Sequence, residues 1–112
     1  KIKITRLMVS GGGSQSDQVM QITADIFGMP VQRPHTYETS GLGAAINAAV
    51  GIGLFENYED AVANMTHGGD IFTPKAENKK IYDALYQGVY KKMYARLNPL
   101  YKAIRHITGY PK

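Results

Sequence analysis

The stretch Arg6–Gly28, RLMVSGGGSQSDQVMQITADIFG, carries a short apolar run into three consecutive glycines and then directly into an amphipathic helical pattern. Glycine lets a backbone come close to a ligand, and a helix N-terminus presents free N–H groups to it. Of the known glycine turns, the P-loop and the nucleophile elbow fail on spacing and the dinucleotide fingerprint fits weakly. A phosphate-binding P-loop needs a Gly-Lys-Ser/Thr ending, whereas Gly13 is followed by Ser14, Gln15, Ser16 and Asp17. A dinucleotide fingerprint begun at Gly11 requires Gly or Ala at Ser16, and a nucleophile elbow begun at Gly12 requires glycine there. What survives is a turn built from backbone N–H groups and small hydroxyls, in which Ser14 and Ser16 can hydrogen-bond a ribose or a base. A tight strand-to-helix turn with serine caps fits the same residues equally well.

Around this stretch the chain alternates strand and helix signals. Ile2 to Val9 reads as a strand ending at glycine. From Ser14, Val19, Ile22, Thr23, Ile26 and Phe27 recur at helical spacing, with Ser14 or Ser16 as N-cap, Asp17 near the positive dipole end and Gly28 as the stop. A short strand is expected at Pro30 to Arg33. Ser40 is expected to cap a buried, nearly all-apolar helix, GLGAAINAAVGIG, and Asn57 a helix from Tyr58 to about Met65 with Asp60 completing a box-like pair. A strand follows at Asp70 to Thr73, closed by Pro74. From Ala76 a long helix carries two adjoining stripes, Ile81, Leu85, Val89, Met93, Leu97, Leu100 and Ile104 beside Tyr82, Tyr86, Tyr90, Tyr94 and Tyr101. Pro99 is expected to kink or divide it near Arg96 to Asn98.

Composition narrows the class. The 112 residues are 44% apolar, one domain's worth of chain, and the start at Lys1 close to a strand reads as part of a longer protein. Thirteen Lys and Arg against nine Asp and Glu give +4, but the surplus is spread along the last helical pattern. That distribution describes a solvated face, so no nucleic-acid partner is expected. The chain has no cysteine, which excludes disulfides and thiolate chemistry. No signal peptide or membrane span is recognisable, so a cytoplasmic location with no membrane partner is expected. His35, His67 and His106 are scattered without metal-ligand spacing, and no metal site is expected. Asp17 and Asp25 read as helix-surface or capping residues.

VSGGGSQSDQVMQITADIFGMPVQRP, then SGLGAAINAAVGIGLF, then the FTP and ENKKIYDALYQGVYKKMYARLNPLY segments resemble, in order, the C-terminal end of the FGGY carbohydrate kinases, which include xylulose, ribulose and glycerol kinases. The resemblance implies an α/β, helix-rich C-terminal part of an actin-like, ribonuclease H-like ATPase lobe, with residues 1–112 forming the last part of the nucleotide-binding lobe. It implies that GGGSQS is the adenosine motif, so Gly11, Gly12 and Gly13 lie against ATP and Ser16 occupies a position where glycerol kinases carry an adenine-contacting asparagine. That departure weakens the side-chain contact. ETSGLGAA resembles the helix behind the nucleotide turn, and the tyrosine-rich helix the family's terminal helix; packing is the expected role of both.

Mg²⁺ and a sugar substrate would join ATP in the intact enzyme, together with the rest of the kinase chain and its N-terminal lobe; the resemblance also admits a homo-oligomer. The implied reaction is transfer of the γ-phosphoryl group of ATP to a sugar hydroxyl. The family's general-base aspartate, acidic phosphate turns and sugar pocket belong to upstream segments, so no catalytic residue is assigned here and the isolated chain is expected to be inactive. The alternative from a different class is a non-catalytic binding or assembly module that docks a partner on the tyrosine-striped helix.

Overall fold

Val31 is the hub of the fold, because it sits in the middle strand of a three-stranded sheet and is fully buried. The computed structural model describes residues 3–110. The strands are β1 (Leu7–Met8), β2 (Val31–Pro34) and β3 (Gly68–Phe72), in that spatial order. β1 and β2 run parallel, with Leu7 opposite Val31 and Met8 opposite Gln32. A parallel pair needs a crossover, and α1 (Asp17–Phe27) supplies it. β3 is antiparallel to β2, pairing Phe72 with Val31 and Ile71 with Gln32, and the register shifts between Gln32 and Pro34, where proline has no N–H to give.

The core is small. Met20 and Ala24 on α1 meet Val31, and Leu7, Val9 and Phe72 pack around them. Burial at this scale contributes roughly 1.5–3 kcal/mol for each large side chain. The α1 stripe lies one position away from the one that periodicity suggests: Met20, Ala24 and Asp25 are buried, whereas Val19, Ile22, Ile26 and Phe27 stay largely exposed. Gly28 ends α1 in the left-handed region at φ 63° and donates its N–H to the Ala24 carbonyl at 2.8 Å.

α2 (Thr39–Gly51) and α3 (Tyr58–Met65) pack on each other. Asn57 caps α3 as expected: its Oδ1 accepts from the Asp60 N–H at 2.9 Å, and its amide donates to the Asp60 carboxylate at 3.0 Å. Two expectations for α2 are corrected. Ser40 lies inside the helix, which begins at Thr39 with Glu38 in the cap position and no side-chain cap bond. The helix is also mostly exposed, with only Ile46 and Ala49 buried, because few elements of this chain reach its other faces.

The C-terminal third is α4 (Ala76–Leu85), a π-helical turn (Tyr86–Tyr90) and α5 (Lys91–Thr108). α4 packs on α1, but no residue of the three segments is buried. Pro99 does not divide the helix. α5 runs through it, and the irregularity falls instead in the π turn around Gly88. An exposed helix can leave the Ala95 carbonyl to water, which offsets the bond lost at Pro99. The expected first strand shrinks to Leu7–Met8; Ile2, its expected start, lies outside the described residues.

Candidate functional site

The chain leaves β1 with the Val9 N–H bonded to the Gln32 carbonyl at 2.9 Å, then turns at Gly11 with φ 88° and ψ −177°. Only glycine adopts that backbone readily. A single turn of 3₁₀ helix, Gly12–Gln15, follows and leads into α1. Ser14 is buried and closes the turn, since its hydroxyl donates to the Gly11 carbonyl at 2.7 Å and its N–H to the same oxygen at 3.0 Å. Ser14 is thus a structural member of the turn, with its hydroxyl committed inward.

Ser16 is the N-cap of α1. Its Oγ accepts from the Val19 N–H at 3.3 Å and its hydroxyl donates to Gln18 Oε1 at 3.0 Å. Gly12 and Gly13 are exposed, and a Cβ at Gly11 or Gly12 would meet nothing within 4 Å. At Gly13 the nearest atom would be Val19 Cγ1 at 3.9 Å. Gly11, Gly12, Gly13 and Ser16 therefore come together in one turn whose outer face is bare backbone.

Arg33, which carries no local signature in the sequence, holds this turn. From β2 its Nη1 donates to the Ser14 carbonyl at 3.0 Å and to the Gln15 carbonyl at 3.3 Å. Its Nη2 pairs with the Asp17 carboxylate at the start of α1, its Nε lies 3.3 Å from Asp70 Oδ2 on β3, and the guanidinium sits 4.9 Å over the Phe72 ring. The period-two alternation of a strand, which puts Arg33 on the same face as Val31, was the available signal. Beside it a polar cleft of about 250 Å³ is lined by Ser14, Gln15, Arg33, Pro34, His35 and Tyr37.

The histidines are not all scattered. The sheet brings His35 and His67 into a stack with ring centroids 3.9 Å apart, and the His67 N–H lies 3.3 Å from His35 Nδ1. Two positions far apart in sequence meet because β2 and β3 pair at this end.

Asp25, expected as a helix-surface or capping residue, is not on the surface but does act as a cap, for α4. It is buried, and its carboxylate accepts from the Lys75 N–H at 2.7 Å, from the Asn78 amide at 2.7 Å and from the Gln21 amide at 2.9 Å. The Lys75 backbone bond, then the Asn78 side chain, hold its carboxyl below the ordinary value of 3.8, against an opposing effect of burial. Lys75 is the cap position of α4 and gives that helix no side-chain cap of its own. Asp25 anchors α4 to α1, well away from the glycine turn in its role.

An exposed glycine turn at a strand-to-helix junction, clamped from the neighbouring strand, presents bare backbone at its surface on a helix-rich α/β fold. Residues 1–52 match the FGGY family of carbohydrate kinases, C-terminal domain. An uncharacterized sugar kinase of Escherichia coli (strain K12) is 48% identical over 85 residues, which is 76% of this chain and 17% of that protein. A xylulose kinase of Staphylococcus epidermidis is 35% identical over 99 residues, 88% of this chain and 20% of the relative. The crystal structure of xylulose kinase from Rhodospirillum rubrum superposes with a TM-score of 0.66 at 34% identity, over 88% of this chain and 20% of that one. The chain is C-terminal-domain sequence of the FGGY family of carbohydrate kinases, with the helix-rich fold of that lobe. It spans about a fifth of the length of the curated relatives it matches. Among the described residues no helix is long and apolar enough to cross a membrane.

Proposed function

We propose that residues 1–112 form the C-terminal fragment of the nucleotide-binding lobe of an ATP-dependent sugar kinase, acting on a pentulose or polyol, and that Gly11, Gly12 and Gly13 lie against the adenosine of ATP. The observation that carries this reading is the bare face of Gly11 and Gly12, where no side chain or neighbouring element occupies the space a ligand needs. Ser16 is the weaker partner, because its hydroxyl already caps α1. It supports the site mainly by fixing the helix N-terminus behind the turn.

The residues fit a nucleoside better than a metal. Asp17, the carboxylate nearest the turn in sequence, is paired with Arg33. Ligands for Mg²⁺, the sugar pocket and the general base are therefore assigned to the rest of the kinase chain, as is the partner surface for the apolar groove between α1 and the C-terminal helix. This chain's own contribution is to bind and orient the nucleoside; phosphoryl transfer from ATP to a sugar hydroxyl needs the whole enzyme, and the isolated chain is inactive on this reading. A cytoplasmic enzyme, with self-association of the whole protein, belongs to the same proposal.

The second reading, a partner-docking module, is favoured by one feature: a 550 Å³ apolar groove lined by residues including Ile26, Phe27, Tyr82, Tyr86, Val89 and Met93. Calorimetric titration of ADP or ATP with Mg²⁺ into the full-length protein separates the two. Saturable binding is expected, weakened more than about tenfold in Gly12→Val by blocked backbone approach. The Gly12 site has room for a side chain in the folded chain itself, so the variant reports on the ligand rather than on folding. Equal affinity in Gly12→Val removes the contact, and failure of the full-length protein to phosphorylate any pentulose or polyol with ATP removes the kinase reading.

A further inference from the structure

We propose that Arg33 is a positioning residue for the nucleotide, setting the glycine turn in its binding shape without touching the ligand. The inference rests on the nucleoside reading of that turn. A 3₁₀ turn is an unstable element by itself, with poorer hydrogen-bond geometry than an α-helix. Its last two carbonyls, Ser14 and Gln15, point to the Arg33 Nη1 at 3.0 and 3.3 Å. The other end of the turn is held by Ser14 itself, through Gly11. The turn is therefore pinned at its start by Ser14 and at its finish by Arg33, leaving Gly12 and Gly13 between the two pins facing outward.

The guanidinium is in turn fixed on three sides, which lets one side chain act as a rigid strut. Asp17 takes Nη2, Asp70 faces Nε at 3.3 Å, and the guanidinium carbon lies over the Phe72 ring, 4.9 Å from its centroid. Two elements thus converge on it: the first turn of α1, through Asp17, and β3, through Asp70 and Phe72. Its side chain is only 17% exposed, whereas Asp17 and Asp70 are 72% and 76% exposed, so the arginine is the enclosed member of the cluster. Arginine suits this place because its planar fork donates in several fixed directions at once, and lysine offers a single point. Binding through backbone groups is sensitive to their placement, since they have no rotamers with which to follow a ligand.

The test uses the full-length protein, titrated with ADP by calorimetry at a temperature where thermal unfolding shows each variant folded. Arg33→Met is expected to raise the ADP Kd about tenfold, and Arg33→Lys, which restores the charge and one donor to the turn, to recover part of that loss. Amide exchange at Ser14 and Ser16, whose N–H groups are bonded within the turn, is expected to quicken in Arg33→Met. Asn57→Ala serves as a stability control, because it removes the cap of α3 and is expected to leave the Kd unchanged. An unchanged Kd in folded Arg33→Met, with Gly12→Val weakened, overturns the positioning role and spares the nucleoside reading. No ADP binding by the unsubstituted protein overturns both. Should Arg33→Met fail to fold, Arg33→Lys decides: a rise of about threefold supports the role and an unchanged affinity overturns it.

Discussion

Asp25 is an acid doing the work of a helix cap for a helix other than its own. The first N–H groups of α4 have no intrahelical partners, and Lys75 cannot supply an acceptor from its side chain. The carboxylate of Asp25 reaches across from α1, accepting from the Lys75 N–H and the Asn78 amide at a position where the α4 dipole also favours negative charge. Because these bonds lower its folded-state value, the unfolded chain binds the proton more readily. The contribution is therefore complete above the ordinary value of 3.8 and is lost as pH falls through the lower, folded value. In urea titrations across that acidic range, Asp25→Asn is expected to lower stability near neutral pH and to flatten the pH dependence below 3.8 relative to the unsubstituted protein. Parallel curves for the two would show that the carboxylate is not ionised in this role. Sequence alone places Asp25 on α1 and gives no reason to bury it, since its partners Lys75 and Asn78 are 50 and 53 residues away.

Elements were more legible than the faces they bury. The glycine turn, the end of α1 at Gly28 and the Asn57 cap follow from local chemistry, because cap bonds join residues three or four apart. The α1 face was displaced by one position because the helix has apolar residues on two sides, and only the sheet decides which side meets Val31. The small apolar residues of α2 imply a buried helix, whereas only Ile46 and Ala49 are buried in this chain. Arg33 is not legible locally, because an arginine next to a proline has no local signature; its meaning comes from the carbonyls of a turn 18 and 19 residues earlier. The stacking of His35 on His67 was hidden for the same reason, with β2 and β3 pairing the two across 32 residues.

The molecule as a whole is far more open than its length requires. Its radius of gyration is 20.4 Å, against about 13 Å for a compact chain of this size. Its accessible surface is 8758 Å², against roughly 6100 Å² for a folded monomer of the same mass. Much of the excess is apolar and lies on the C-terminal helix, where Ile81, Leu85, Tyr90, Met93 and Ile104 are all about half exposed or more. The 112-residue polypeptide by itself is therefore expected to enhance the fluorescence of a hydrophobic dye several-fold over the full-length protein at equal molarity, and to scatter light as it self-associates. Equal dye signals from the two would mean that the helix remains uncovered in the whole enzyme. The π turn has a further consequence for how that helix meets its surroundings. Its apolar residues recur every fourth position from Ile81 to Leu97. At about 100° per residue, such a row drifts by roughly 160° around an ideal α-helix over those sixteen steps. A π turn absorbs one residue without advancing the phase, which cuts the drift to about 60° and returns Met93 and Leu97 toward the side that carries Ile81. Gly88 is then a spare tooth in the gear: its deletion should convert the turn to plain α-helix with the distal row still in phase, and full-length protein lacking Gly88 should fold and bind ADP as before. Loss of folding on that deletion would mean that the turn itself, and not the phase it preserves, is what the rest of the enzyme reads.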